Sequence, residues 1–178
     1  MKDVTSTSFG LVIAFLLPGL AALYALALWA PSILEMFRTF LTSNSNIGLF
    51  LLVIAIALSL GLVVTVFRWF LFERWLCKSH CLNPFYFAQL SNDAKLVAFR
   101  AAIDEHYRYH QFWGGMTVIL PVLYLGWLVN YWKGGSLLLK ALSFLVFIGI
   151  EYVLGRGAVA AYTIFIARAK SILEQDNA

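Results

Sequence analysis

Four long apolar stretches punctuate the chain: Phe9–Trp29, Ile47–Phe67, Phe112–Trp132 and Leu142–Ala167. Crossing a bilayer takes roughly 20 residues of helix at ~1.5 Å of rise each. All four stretches meet that length, so each predicts a transmembrane helix. The first and third contain Pro18 and Pro121. Proline is tolerated in membrane helices when other groups satisfy the backbone it frees. After the first stretch, Pro31–Leu41 predicts a short amphipathic helix near the interface. Thr42-Ser43-Asn44-Ser45-Asn46 and Gly134-Gly135-Ser136 predict turns.

Polar residues gather in one long segment, Arg68–Gln111. Its last part predicts a single helix, about Asp93–Gln111, running straight into the third span. Ser91, Asn92 and Asp93 supply candidate N-caps. Leu96, Phe99, Ile103, His106 and His110 recur at spacings of three and four and form one stripe. Arg100, Asp104 and Arg108 are four apart on another face and suit sequential ion pairing.

Composition agrees with lipid as the solvent. The 178 residues are 62% hydrophobic and 12% charged, with a mean hydropathy of +0.83. Soluble domains carry about 25% charged and about 45–50% apolar residues. The reading is an all-α, integral membrane four-helix bundle with one cytoplasmic juxtamembrane helix, a single membrane domain over residues 1–178. Lys2 and the run that follows resemble a signal sequence. At 21 residues Phe9–Trp29 exceeds an ordinary signal core, so this helix is expected to stay.

Charge sets the expected orientation. Lys2, Arg68, Arg74, Lys78, Lys95, Arg100, Arg108, Arg168 and Lys170 lie on one side, and Arg38, Lys133 and Lys140 on the other. Nine against three predicts that both termini and the 68–111 segment are cytoplasmic. Trp69, Trp75 and Trp113 then mark the inner boundary, and Trp29, Trp127 and Trp132 the outer one. The net charge of +4 is spread by topology and is no nucleic-acid footprint.

Leu17-Pro18-Gly19-Leu20-Ala21-Ala22-Leu23, Thr65-Val66-Phe67-Arg68-Trp69 and His106-Tyr107-Arg108-Tyr109-His110-Gln111-Phe112 resemble segments of a group of small uncharacterised bacterial inner-membrane proteins. The shared features are a Leu-Pro-Gly start, an Arg-Trp pair ending the second span and a His-Tyr-Arg-Tyr run entering the third. The resemblance covers about the first two-thirds of the chain. It implies a bacterial inner membrane and no activity.

Glu151 and Arg156 lie inside the fourth apolar stretch, where an ionisable group costs ~2.5–3.5 kcal/mol on insertion scales. Five residues is about 140° around a helix, so the two should have different partners. By depth, Glu151 matches Tyr124. Arg156 matches the carbonyls of Ala14 and Thr117, which Pro18 and Pro121 release, and a guanidinium has donors to bind them. The readings are a packing lock, a gate or conduction path, and a lipid-headgroup site. Small-residue pairs, Ala57 with Gly61 and Gly157 with Ala161, mark faces where helices approach closely.

Cys77, His80, Cys81, His106 and His110 form a second constellation. The pairs Cys77/Cys81 and His106/His110 are each i, i+4 and would make a Cys2His2 tetrahedron if brought together. The spacing is looser than a zinc finger's; packing of the histidines against the membrane surface or a neighbouring subunit is the simpler reading, and a pH-sensing or partner role is the third. Arg68, Trp69, Arg74, His106 and His110 form the expected cytoplasmic interface, with Arg68 and Arg74 as snorkelling anchors or a docking site. There is no P-loop, GxGxxG, GxSxG or HExxH, and no potassium-filter sequence. No cofactor is expected. The function that fits is a non-enzymatic bacterial membrane sensor or effector, pore-forming in one version, acting as a homo-oligomer in contact with lipid and a cytoplasmic protein partner; a stress or antiphage system would suit it, though no residue specifies one. The alternatives are an oligomeric channel or small transporter using Glu151 and Arg156, and a membrane enzyme or metal protein using the cysteines and histidines.

Overall fold

The computed structural model describes residues 10, 12–42, 47–74, 93–131 and 136–174. Every regular element among them is helical. A π-helical turn, Val12–Leu16, leads into α1, Leu17–Trp29. Ala30 leaves the helical region, and α2, Pro31–Thr42, follows. Then come α3, Ile47–Arg68, continued by a π-turn at Trp69–Glu73, and α4, Asp93–Ala102. A third π-turn, Ile103–Tyr107, joins α4 to α5, Arg108–Tyr131. The last element is α6, Leu137–Glu174. Four of these helical stretches are long and apolar enough to cross a membrane, and the chain is an all-α membrane helical bundle.

The sequence expectation of one helix running from Asp93 into the third span holds, and so does the short amphipathic helix after the first span. Two boundaries differ. The second span does not stop at Phe67, because the π-turn carries it to Glu73. The fourth begins at Leu137 rather than Leu142 and runs unbroken for 38 residues. At ~1.5 Å per residue that is about 57 Å, nearly twice the ~30 Å hydrocarbon core of a bilayer. The whole helix is therefore longer than the apolar layer is thick.

Packing follows from the smallest side chains. α1, α3 and α5 pack on one another, and α6 packs on α5. Gly19 sits directly against the Ala57 carbonyl, and Gly61 against the Phe15 carbonyl. The Ala57/Gly61 pair is thus the face where the second span meets the first. Close approach of this kind supplies dispersion contacts where lipid offers no hydrophobic drive for helices to associate. Around Ala22, Ala25, Val64 and Ile119 the three helices share one core. A second core lies at the far end of α6, where Tyr162, Phe165, Ile166, Ala169 and Leu173 bury Phe99 and Ala102 of α4. The polar site lies between these two layers.

Candidate functional site

Arg68 ends α3 and is the largest fully buried side chain among the described residues, at 1% exposure. Its burial corrects the expectation of a snorkelling anchor. A buried guanidinium needs a counter-charge, and the π-turn that follows supplies one. Residues five apart stand about 140° apart on an α-helix and do not meet. The wider turn at Trp69–Glu73 swings Glu73 round, so Arg68 Nη1 lies 2.9 Å from Glu73 Oε1. The contact is an ion pair by distance, while the Nη1 and Nε hydrogens of Arg68 point at no acceptor.

The same carboxylate oxygen gathers two residues from the third span. Tyr107 donates its hydroxyl to Glu73 Oε1 at 2.9 Å, and the Arg68 guanidinium lies 5.8 Å from the Tyr107 ring centroid. His110, 0% exposed, holds Nε2 3.8 Å from Glu73 Oε1. Its other nitrogen, Nδ1, lies 2.8 Å from the Ala158 carbonyl oxygen of α6. Rings of Phe72, Tyr107 and Tyr162 surround the imidazole, at centroid distances of 6.4, 5.8 and 5.0 Å. Gly114 makes the space for Arg68: a Cβ there would come within 2.9 Å of the arginine Cγ and Cδ. The cluster ties together the second, third and fourth spans.

The π-turn at Ile103–Tyr107 decides which side chains of the approaching helix take part. The expected stripe ran through Ile103, His106 and His110. The extra residue in the turn shifts the register, so Ile103 and Tyr107 pack inward with Phe165 and its neighbours. His106 is rotated away, with Nε2 3.3 Å from Arg168 Nη1, and Arg168 also pairs with Glu105. The i, i+4 relation that would have paired His106 with His110 is therefore broken. Cys77, His80 and Cys81 lie outside the described residues. Among the described residues no group of three potential ligands is placed to hold a metal ion. Trp69 and Arg74 are exposed, and the Arg74 guanidinium lies over the Phe70 ring at 5.2 Å.

No family model, curated protein or solved structure matches this chain.

The intramembrane residues fall differently from their expected places. With α6 starting at Leu137, Arg156 is 19 residues along it, about 28 Å. That is nearly the full thickness of the hydrocarbon core, ~30 Å. Leu154 and Ala158 face the bundle. Arg156 lies two residues from each, about 200° round the helix, so it points outward and is exposed. Among the described residues it makes no hydrogen bond, and binding to the Ala14 and Thr117 carbonyls does not occur. The Thr117 hydroxyl donates to the Trp113 carbonyl of its own helix, at 2.9 Å. The early start of α6 also moves Tyr124 away from Glu151. Tyr124 Oη lies 3.2 Å from Ser143 Oγ, and its ring stacks on Phe147 at 4.3 Å. Together with Tyr24 and Leu28 it lines an apolar groove of about 300 Å³. Glu151 has a buried Oε2 with no hydrogen-bond partner.

Glu73, Tyr107, Ala158 and Tyr162 were absent from the sequence-level site. One signal pointed to Glu73. It is the only acidic residue between Glu35 and Asp93, and it stands beside Arg74 and five residues from Arg68. No helical pairing rule links positions five apart, so the signal carries meaning only once the π-turn is known.

Proposed function

We propose that this chain is a non-enzymatic membrane sensor or effector of a bacterial inner membrane, with both termini cytoplasmic, acting as a homo-oligomer that meets a cytoplasmic partner. The observation that supports this reading most is the position of the Arg68–Glu73–Tyr107–His110 cluster. It lies between the span bundle and the layer formed by α4 and the end of α6. A displacement of either layer changes the distances to one shared oxygen, Glu73 Oε1. A buried ion pair broken from one side leaves an uncompensated charge, so the cluster is sensitive to such a displacement.

The nine-to-three distribution of basic residues and the resemblance to inner-membrane proteins support the location. The long, exposed apolar face of α6, including Leu138, Leu145, Tyr152 and Val153, offers area for subunit contacts as well as for lipid. Native mass spectrometry from mild detergent and from nanodiscs tests the assembly. A monomer under both conditions removes the oligomeric part of the proposal. Affinity capture of the intact protein with and without Glu73→Gln tests the partner. If the same cytoplasmic proteins are retained in equal amount by both forms, the cluster has no part in recognition.

A second reading, an oligomeric channel, is favoured by one observation: the buried, partnerless Oε2 of Glu151 in the fourth span. Ion flux in liposomes that Glu151→Gln abolishes would support it. Absence of flux at any protein-to-lipid ratio would remove it.

A further inference from the structure

His110 has an acceptor on each side. Nδ1 faces the Ala158 carbonyl oxygen at 2.8 Å, and Nε2 faces Glu73 Oε1 at 3.8 Å. A neutral imidazole carries one N–H and one lone pair. If the proton is on Nδ1, it serves Ala158 and the Nε2 lone pair confronts the carboxylate. If it is on Nε2, the Nδ1 lone pair confronts a carbonyl lone pair at hydrogen-bond distance. Neither neutral tautomer satisfies both contacts. The imidazolium, with two N–H groups, does. The two contacts are unequal: Nδ1 lies close to its neighbour, Nε2 lies farther from its own, and Nε2 is buried without a hydrogen-bond partner.

We infer that His110 is a proton-binding site, and that proton uptake closes the gap between its Nε2 and Glu73. The step is simple to balance: one proton from water joins the Nε2 lone pair, and no other bond changes. The new N–H then points at a carboxylate oxygen. A charge-assisted bond of this type settles at about 2.7–2.9 Å, so Glu73 and the π-turn carrying it are drawn toward α5. Because His110 also holds Ala158, protonation clamps three spans at one point.

The groups that face the imidazole come from each element packed on it. On the second span they are Glu73, the cation Arg68, whose charge opposes a second positive charge, and the ring of Phe72. Tyr107 stands on its own helix, and Tyr162 and the Ala158 carbonyl on α6. The Glu73 side chain, at the end of the second candidate span, is 12% exposed. This inference rests on the proposed sensor reading only in supplying its stimulus, a change in proton concentration. The chemistry of the site stands independently of whether a partner exists.

The test is 15N NMR of the full chain in nanodiscs with labelled histidine, between about pH 5 and 8, where histidine changes charge. The chain has three histidines, and His110→Gln identifies the signal. The expected result is a neutral Nδ1–H tautomer at the basic end and two protonated nitrogens at the acidic end. A single neutral tautomer over the whole range overturns the proposal. Thermal midpoints provide the second arm. The difference between the native chain and His110→Gln should grow in favour of the native chain on acidification, and Glu73→Gln should abolish that growth. A difference that does not vary with pH also overturns it. If His110→Gln does not fold, the tautomer measurement on the native chain still decides. Titration of His110 together with failed partner capture would remove the sensor reading and leave the proton site standing.

Discussion

Gly19 and Ala57 touch through backbone: a methyl group on Gly19 would occupy the place of the Ala57 carbonyl oxygen. Gly61 stands in the same relation to Phe15 one turn away. Neither obstacle is a flexible side chain that can swing aside. Gly19→Ala and Gly61→Ala should each destabilise the bundle by about 1–3 kcal/mol, the usual cost of overpacking. Gly155→Ala is the control, since nothing lies within 4 Å of its Cβ position. It should be neutral or slightly stabilising, because alanine is the better helix former by about 1 kcal/mol. Thermal unfolding of the three variants in one detergent makes the comparison. Equal midpoints for all three would mean that the α1–α3 contact is looser than described.

Two arginines near the same level should behave oppositely. Arg68 is buried beside Glu73, and its loss leaves a mostly buried carboxylate without its counter-charge. Breaking a buried pair from one side costs about 3–5 kcal/mol, so Arg68→Leu should unfold the chain or lower its midpoint severely. Arg68→Leu with Glu73→Leu should recover much of that loss. Arg156 is exposed and makes no hydrogen bond among the described residues, so Arg156→Leu should change stability by about 0.5 kcal/mol or less. A large loss for Arg156→Leu would show that another subunit or a lipid covers it, and native mass spectrometry of that variant would tell which.

The layer beyond the spans should open separately. Phe165 packs on Phe99 at 6.1 Å and on Tyr107 at 5.1 Å between ring centroids. Phe165→Ala removes a core ring, worth about 3–5 kcal/mol, from a cluster that does not include α1 or α3. Hydrogen exchange should rise across α4 while α1 and α3 keep their protection. Arg168→Ala, which removes an exposed ion pair with Glu105, should cost less than about 1 kcal/mol. Uniform loss of protection through all the spans in Phe165→Ala would mean that the two cores unfold as one unit.

Orientation has a direct check. In a chain with Cys77→Ser and Cys81→Ser, new cysteines at Asn44 or Gly135 should react with an impermeant reagent from the periplasmic side. Cysteines at Asn92 or Gln175 should react only after the membrane is opened. Labelling of Asn92 from outside intact cells would invert the proposed topology.

The apolar stretches alone determined that this chain is an all-helical membrane bundle with four spans. The reason is that lipid leaves each segment to satisfy its own backbone, so length and hydropathy suffice to identify it. The contact face of the second span was equally legible in Ala57 and Gly61, because close approach requires small side chains at a spacing of four. Where each charge points was not legible. Arg68 looked like an anchor and Arg156 like a buried lock, and the structure exchanges them. Arg156 turns outward because α6 presents Leu154 and Ala158 to the bundle. Arg68 turns inward because Gly114 leaves room for it and a π-turn brings Glu73 back to it. One extra residue in a helical turn rotates everything beyond it by a large angle, and it has no signature in hydrophobic periodicity. The identity of the residues that meet at Glu73 was therefore decided by the tertiary structure, through two such turns on neighbouring helices.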